Sequence, residues 1–145
     1  MNNKTCSIIS PRLDPCTVLL PEASALVPAG FPSPADDYTD RSLDLNEYLI
    51  RNQAASFFIR VAGESMHGAG ILPEDILLVD RSVSPAHNKI VVAVLDNEMV
   101  VKRLRFKKDQ AFLVSENSAF PSIEITHAME ACIWGVVIAV IRKLA

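Results

Sequence analysis

Prolines divide this chain. Six of its nine fall between Pro11 and Pro34, in a stretch with little helical or strand periodicity. Proline fixes φ and removes a backbone donor, so such a segment forms neither an ordinary helix nor a central strand. It reads as an extended, mobile N-terminal arm over residues 1–40. Beyond it the pattern changes. Asp44 can cap a short helix, with Glu47 three residues on completing a capping box. Leu45, Tyr48 and Leu49 follow i, i+3, i+4 spacing and would seat that helix on a core. From Phe57 onward strand signals dominate: Phe57–Val61, Ile76–Asp80, Lys89–Leu95, Glu98–Phe106, Ala111–Ser115 and Ile133–Ile141. Asp96-Asn97 is a tight hairpin signal, because both residues tolerate positive φ. The expected fold is mainly β, with one short helix in a single domain over 41–145 and no internal repeats. A chain of 145 residues supports one core.

Within the strands one charge is out of place. In Val100-Val101-Lys102-Arg103-Leu104-Arg105-Phe106, period two puts Val100, Lys102, Leu104 and Phe106 on one face. Arg103 and Arg105 then point to solvent and Lys102 toward the core. A lysine on an apolar face loses hydration, which lowers its pKa and frees it to act as a neutral base. Ser65 stands in Gly63-Glu64-Ser65-Met66, on a glycine-flanked turn just past a strand. Each residue alone is ordinary. Gly-x-Ser turns are common, and an inward lysine often snorkels at a strand end. The pair gains meaning from a third segment, around Ala29 and Gly30.

Charge and cysteine content narrow the function. A net charge of −3 argues against global nucleic-acid binding. The basic run Lys102–Lys108 reads as a solvated strand edge and hairpin. Cys6, Cys16 and Cys132 are odd in number and lack ligand spacing, so neither a metal site, a cofactor nor a disulfide framework is expected, consistent with a reducing cytoplasm. The apolar stretch Val18–Val27 is broken by Pro21 and Glu22, which makes a poor secretory signal. The run Ala131–Ile141 falls well short of the roughly 20 residues of a spanning helix. A soluble protein with no membrane partner is expected.

Seven short motifs occur in order. They are Ala29-Gly30-Phe31-Pro32-Ser33-Pro34-Ala35, Leu43-Asp44-Leu45-Asn46, Gly63-Glu64-Ser65-Met66, Gly70-Ile71, Asp75-Ile76-Leu77-Leu78-Val79-Asp80, Val101-Lys102-Arg103-Leu104 and Gly135-Val136-Val137-Ile138. In this order the chain resembles the UmuD/MucA proteins of the bacterial SOS response and, more distantly, the self-cleaving domain of LexA-type repressors. The resemblance runs from about Val27 to the C-terminus. It implies a latent serine peptidase that cuts its own Ala29-Gly30 bond, with Ser65 as nucleophile and Lys102 as general base. It further implies a homodimer, stimulation by RecA on single-stranded DNA, and partnership with a UmuC-type Y-family polymerase, with no direct sequence-specific DNA binding.

Elementary chemistry agrees with those roles. Serine is a weak nucleophile until a neighbour takes its proton, and lysine must be desolvated to serve. The backbone N–H groups of Glu64 and Ser65 are the candidate oxyanion donors. Gly30 lets the backbone turn where a Cβ would clash. Residues 1–29 carry Lys4 and Arg12 against Asp14 and Glu22, so their removal leaves the side-chain charge balance unchanged. Cleavage would act by exposing a surface. Three rivals stand beside this reading. One is a non-enzymatic polymerase-interaction module, and another a phage or plasmid repressor with the same protease domain, although the residues ahead of Phe57 show no helix-turn-helix. The third is a Ser–His–Asp triad through His127, with His67 and His87 the other histidines. Trp134 reads as core or dimer packing. The Ile133–Ile141 strand is expected to contribute to a dimer, with Val137 outward.

Overall fold

Ten strands and one helix form from these patterns in the computed structural model, which describes residues 8–9, 18–22, 26–30, 41–126 and 131–145. In chain order they are β1 (Ile8–Ile9), β2 (Leu20–Glu22), β3 (Arg41–Leu43), α1 (Leu45–Leu49), β4 (Ser56–Arg60), β5 (Ile76–Asp80), β6 (Ile90–Leu95), β7 (Glu98–Lys107), β8 (Gln110–Val114), β9 (Ile123–Ile125) and β10 (Ala131–Ile141). The fold is mainly β, as the alternating pattern predicts. The chain divides into two units, Arg12–Arg51 and a second formed by Met1–Pro11 with Asn52–Ala145.

In the smaller unit β2 pairs antiparallel with β3, Leu20 opposite Leu43. Asp44 caps α1, its carboxylate accepting from the Asn46 N–H at 2.9 Å. The helix buries no residue, and Leu45 and Tyr48 are exposed, contrary to the expectation that they seat it on a core. Five residues are too few to sustain an apolar stripe. Ala29 and Gly30 lie exposed in a bend.

The larger unit is one eight-stranded sheet in the order β1-β4-β5-β10-β6-β7-β8-β9. All its pairings are antiparallel, and β1 lies against β4 with Ile8 opposite Ile59. Alternate residues along β6 enter different clusters. Val92 joins Phe57, Ile59, Leu77 and Val79, while Val91 and Ala93 join Leu104, Leu113 and Val136. Successive side chains of a strand point to opposite faces, so the sheet is covered on both. Each fully buried Ile, Leu or Val contributes about 1.5–3 kcal/mol.

Centrally placed β10 pairs with β5 and β6, and its register shifts between Ile133 and Gly135. A Cβ at Gly135 would sit 2.6 Å from Val79 Cγ1, so only glycine lets these strands approach. Trp134 packs on Phe57, ring centroids 5.0 Å apart. Val137 is not outward: it packs against the first cluster, because both faces of β10 are covered. Val140 and Cys132 are exposed on this strand.

The β6–β7 hairpin turns on Asp96 and Asn97 at φ 47° and 66°, the left-handed pair a two-residue turn requires. Lys108 (φ 56°) turns the β7–β8 hairpin. Phe106, read from period two as inward, is 48% exposed. It stacks on His87 near the end of β7, where the sheet no longer has a layer to cover it. Among the described residues, no helix is long and apolar enough to cross a membrane.

Candidate active site

Beyond β4 the chain turns sharply. Val61 donates its N–H to Asp75 and accepts from Glu74, which fixes the start of the turn. Gly63 takes φ +87°, a conformation that disfavours any side chain. Met66, 2% exposed, anchors the turn from beneath and leaves the neighbouring Ser65 half-buried. A short 3₁₀ turn over His67–Ala69 follows and ends at Gly70 (φ +78°). The Gly70 carbonyl accepts from Arg142 Nη2 at 2.8 Å. Arg142 also grips the buried Asp75 carboxylate with two bonds, Nε to Oδ1 at 2.6 Å and Nη2 to Oδ2 at 2.5 Å. That bidentate pair, with the Leu72 N–H on the same carboxylate, holds Asp75 below the usual carboxylate range despite its burial. The segment that follows Ser65 is thereby clamped to Arg142, just past β10.

Lys102 lies on β7 opposite Val91 of β6, on the face that carries Leu104. It is 8% exposed, and burial pushes its pKa below the ordinary lysine value. This is the inward lysine the alternation predicts. Its Nζ donates to Ser115 Oγ at 2.8 Å and lies 5.6 Å from the centre of the Phe120 ring. Ser65 and Lys102 line one cavity of about 120 Å³, with Val61, Met66, Met99 and Val101 among its other walls. A hydroxyl and a desolvated amine beside a small cavity can support acyl transfer through serine.

The other candidate residues have these settings. Ala29 and Gly30 belong to the smaller unit. Glu64 is exposed on the serine's turn, and its carbonyl accepts from Asn117 Nδ2 at 3.0 Å. His67 is exposed on the following turn. His87 Nδ1 accepts the Phe106 N–H at 2.9 Å, which occupies that ring nitrogen. His127 lies outside the described residues. Cys132 is an exposed free thiol, and no group of three or more His, Cys, Asp or Glu able to hold a metal occurs among the described residues.

Two residues of this neighbourhood escape a reading by motif: Ser115 and Asn117. The signal for Ser115 is register. Arg103 faces Val114 and Leu104 faces Leu113, so the same hairpin brings Lys102 opposite Ser115. A hairpin turn placed at Lys108-Asp109 would have given that pairing.

Comparison with known proteins identifies the family. The family model described as Peptidase S24-like matches residues 21–138. The protein SamA of Salmonella typhimurium is 42% identical over 136 residues, 94% of each chain. The protein ImpA of Escherichia coli is 45% identical over 115 residues, covering 79% of this chain and 78% of the relative. The protein MucA of Escherichia coli is 44% identical over 112 residues, 77% and 76% of the two chains. The chain belongs to the Peptidase S24-like family, and within it to the UmuD/MucA type that its ordered motifs resemble.

Proposed function

We propose that this chain is a self-cleaving serine endopeptidase with a Ser65–Lys102 dyad that cuts its own Ala29-Gly30 bond. Neutral Lys102 takes the Ser65 proton as Oγ attacks the Ala29 carbonyl. The developing oxyanion meets the N–H groups of Glu64 and Ser65. Lys102 then returns the proton to the Gly30 amine as the peptide bond breaks, and water releases the acyl group. The observation that supports this reading is the buried Lys102 on the same cavity as Ser65, its pKa lowered by burial. A tethered substrate has a high effective concentration, so even a slow dyad cuts its own chain.

In its cell the chain acts in the SOS response as a cytoplasmic homodimer. RecA on single-stranded DNA stimulates the cut by favouring the docked arm and supplies no catalytic group. The product serves a UmuC-type Y-family polymerase as an accessory subunit in translesion synthesis. The test is incubation of the pure chain with and without RecA filaments, with the products weighed by mass spectrometry. A fragment running from Gly30 to Ala145 is expected. Ser65→Ala, Lys102→Ala and Lys102→Arg should leave a folded, uncut chain, since a guanidinium stays protonated and cannot act as a base. A dominant cut elsewhere, or full activity in Lys102→Arg, would sink the assignment.

A further inference from the structure

We propose that Ser115 is a positioning residue for this peptidase: its hydroxyl aims the Lys102 amine, and the segment it begins holds the serine's turn in the same frame. The inference rests on the self-cleavage reading and deepens it. A neutral lysine has one lone pair and two N–H bonds, and its terminal torsion rotates freely unless an N–H is held. Proton transfer requires the lone pair, not an N–H, to face Ser65 Oγ. The 2.8 Å bond from Nζ to Ser115 Oγ removes that freedom. Phe120, 5.6 Å from Nζ, covers another side of the amine with an apolar ring.

The two residues after Ser115 reach the other half of the dyad. The Glu116 carbonyl accepts the Gly68 N–H at 2.7 Å. Asn117 Nδ2 donates to the Glu64 carbonyl at 3.0 Å. Glu64 and Gly68 flank Ser65 on its two sides, so three consecutive residues fix both the base and the frame of the nucleophile. Arg103, beside Lys102 on β7, pairs with Glu116 and ties this segment to the strand that carries the base. No motif requires this arrangement; the hairpin register and the loop beyond β8 create it.

The charged and titratable groups on the surrounding elements are few. Arg103 and Glu116 pair with each other. Glu64 and His67, on the serine's turn, are exposed. β6 presents Val91 opposite Lys102, and Lys89, just ahead of that strand, is exposed. Among the described residues, Ser115 is thus the side chain that hydrogen-bonds Nζ. An acceptor stabilises an ammonium more than an amine, so Ser115 holds the lysine's titration higher than burial alone would.

The experiment is a pH series of RecA-free self-cleavage by the full chain, for wild type, Ser115→Ala, Ser115→Thr and Lys102→Ala, with circular dichroism checking each fold. Ser115→Ala should lower the high-pH plateau roughly tenfold and move the inflection to lower pH. Ser115→Thr, which keeps the hydroxyl, should restore both. A merely structural role would lower the rate without moving the inflection. An unshifted profile in Ser115→Ala, or a folded Ser115→Thr that fails to recover, overturns the inference while leaving the dyad standing. Cleavage by Lys102→Ala overturns the dyad itself.

Discussion

Gly68 gives the most direct handle on whether the serine's turn must be held in register. A Cβ there would lie 2.5 Å from the Glu116 carbonyl oxygen and 3.3 Å from its carbon. Both are backbone atoms, so no side-chain rotation relieves the contact. To reach an ordinary 3.4 Å separation the turn and the segment after β8 must part by about 0.9 Å. That movement stretches the 2.7 Å bond from Gly68 N to Glu116 O. Crowding of this kind costs about 1–3 kcal/mol, and the weakened bond adds about 0.5–1.5 kcal/mol. Alanine's smaller unfolded-state entropy offsets about 0.4–1 kcal/mol. Gly68→Ala should therefore destabilise by roughly 1–3 kcal/mol, a fall in Tm of about 3–10 °C at this chain length. The rate should suffer far more, because a displacement near 1 Å in a reacting pair costs about 100-fold. Thermal unfolding and self-cleavage, both measured well below the variant's Tm, separate the two effects. Gly70→Ala is the control: its Cβ meets nothing within 4 Å, but its φ of +78° strains alanine. It should lose stability and keep most of its rate. Wild-type cleavage by Gly68→Ala would refute the idea that this contact sets the geometry of the proposed dyad.

Three other outcomes follow from the same structure. Lys102 has a depressed folded-state pKa, so between that value and the unfolded value of about 10.4 the unfolded chain binds more protons and stability rises with pH; Lys102→Met should raise the urea midpoint at pH 7, with the advantage shrinking toward pH 10. Asp75 is depressed by Arg142, so its contribution is present above the unfolded value of about 3.9 and is lost as pH falls through the folded one; acid unfolding followed by fluorescence should begin at higher pH in wild type than midpoints at pH 7 would suggest, and Asp75→Asn should flatten that dependence. Val137→Glu should leave little folded chain on circular dichroism, because it buries a charge against the first cluster, whereas Val140→Glu, on an exposed position, should fold and report on self-association by sedimentation.

Alternation and turn chemistry made much of the sheet legible in advance. Lys102 announced itself because its neighbours Val100 and Leu104 share its side of the strand, and Asp96-Asn97 because few other pairs accept two positive φ angles. What stayed hidden depends on contacts between distant segments. Phe106 obeys period two yet is exposed, since periodicity gives a direction but not whether a covering layer extends that far. Val137 reads as outward from the sequence, because an unbroken Val and Ile run does not say which side chains meet a second layer. Ser115 carries no motif; its importance comes from the register of a hairpin whose turn, Lys108-Asp109, has no strong sequence signature. Leu45 and Tyr48 have helical spacing, but spacing cannot supply the extra turns a five-residue helix lacks.

The pairing of β1 with β4 changes what cutting the chain between Ala29 and Gly30 would mean. Ile8–Ile9 closes one border of the sheet, yet its covalent route to that sheet runs through the Ala29-Gly30 bond. Two paired residues give little binding once the link that keeps them close is gone, because local concentration then falls to that of the free peptide. With β1 departed, β4 would keep β5 on one side and lose its neighbour at Phe58 and Ile59 on the other. Such a border is a template for any extended segment that arrives. A cut between Ala29 and Gly30 would then do more than shorten the chain: it would leave part of the β4 border open to another extended segment.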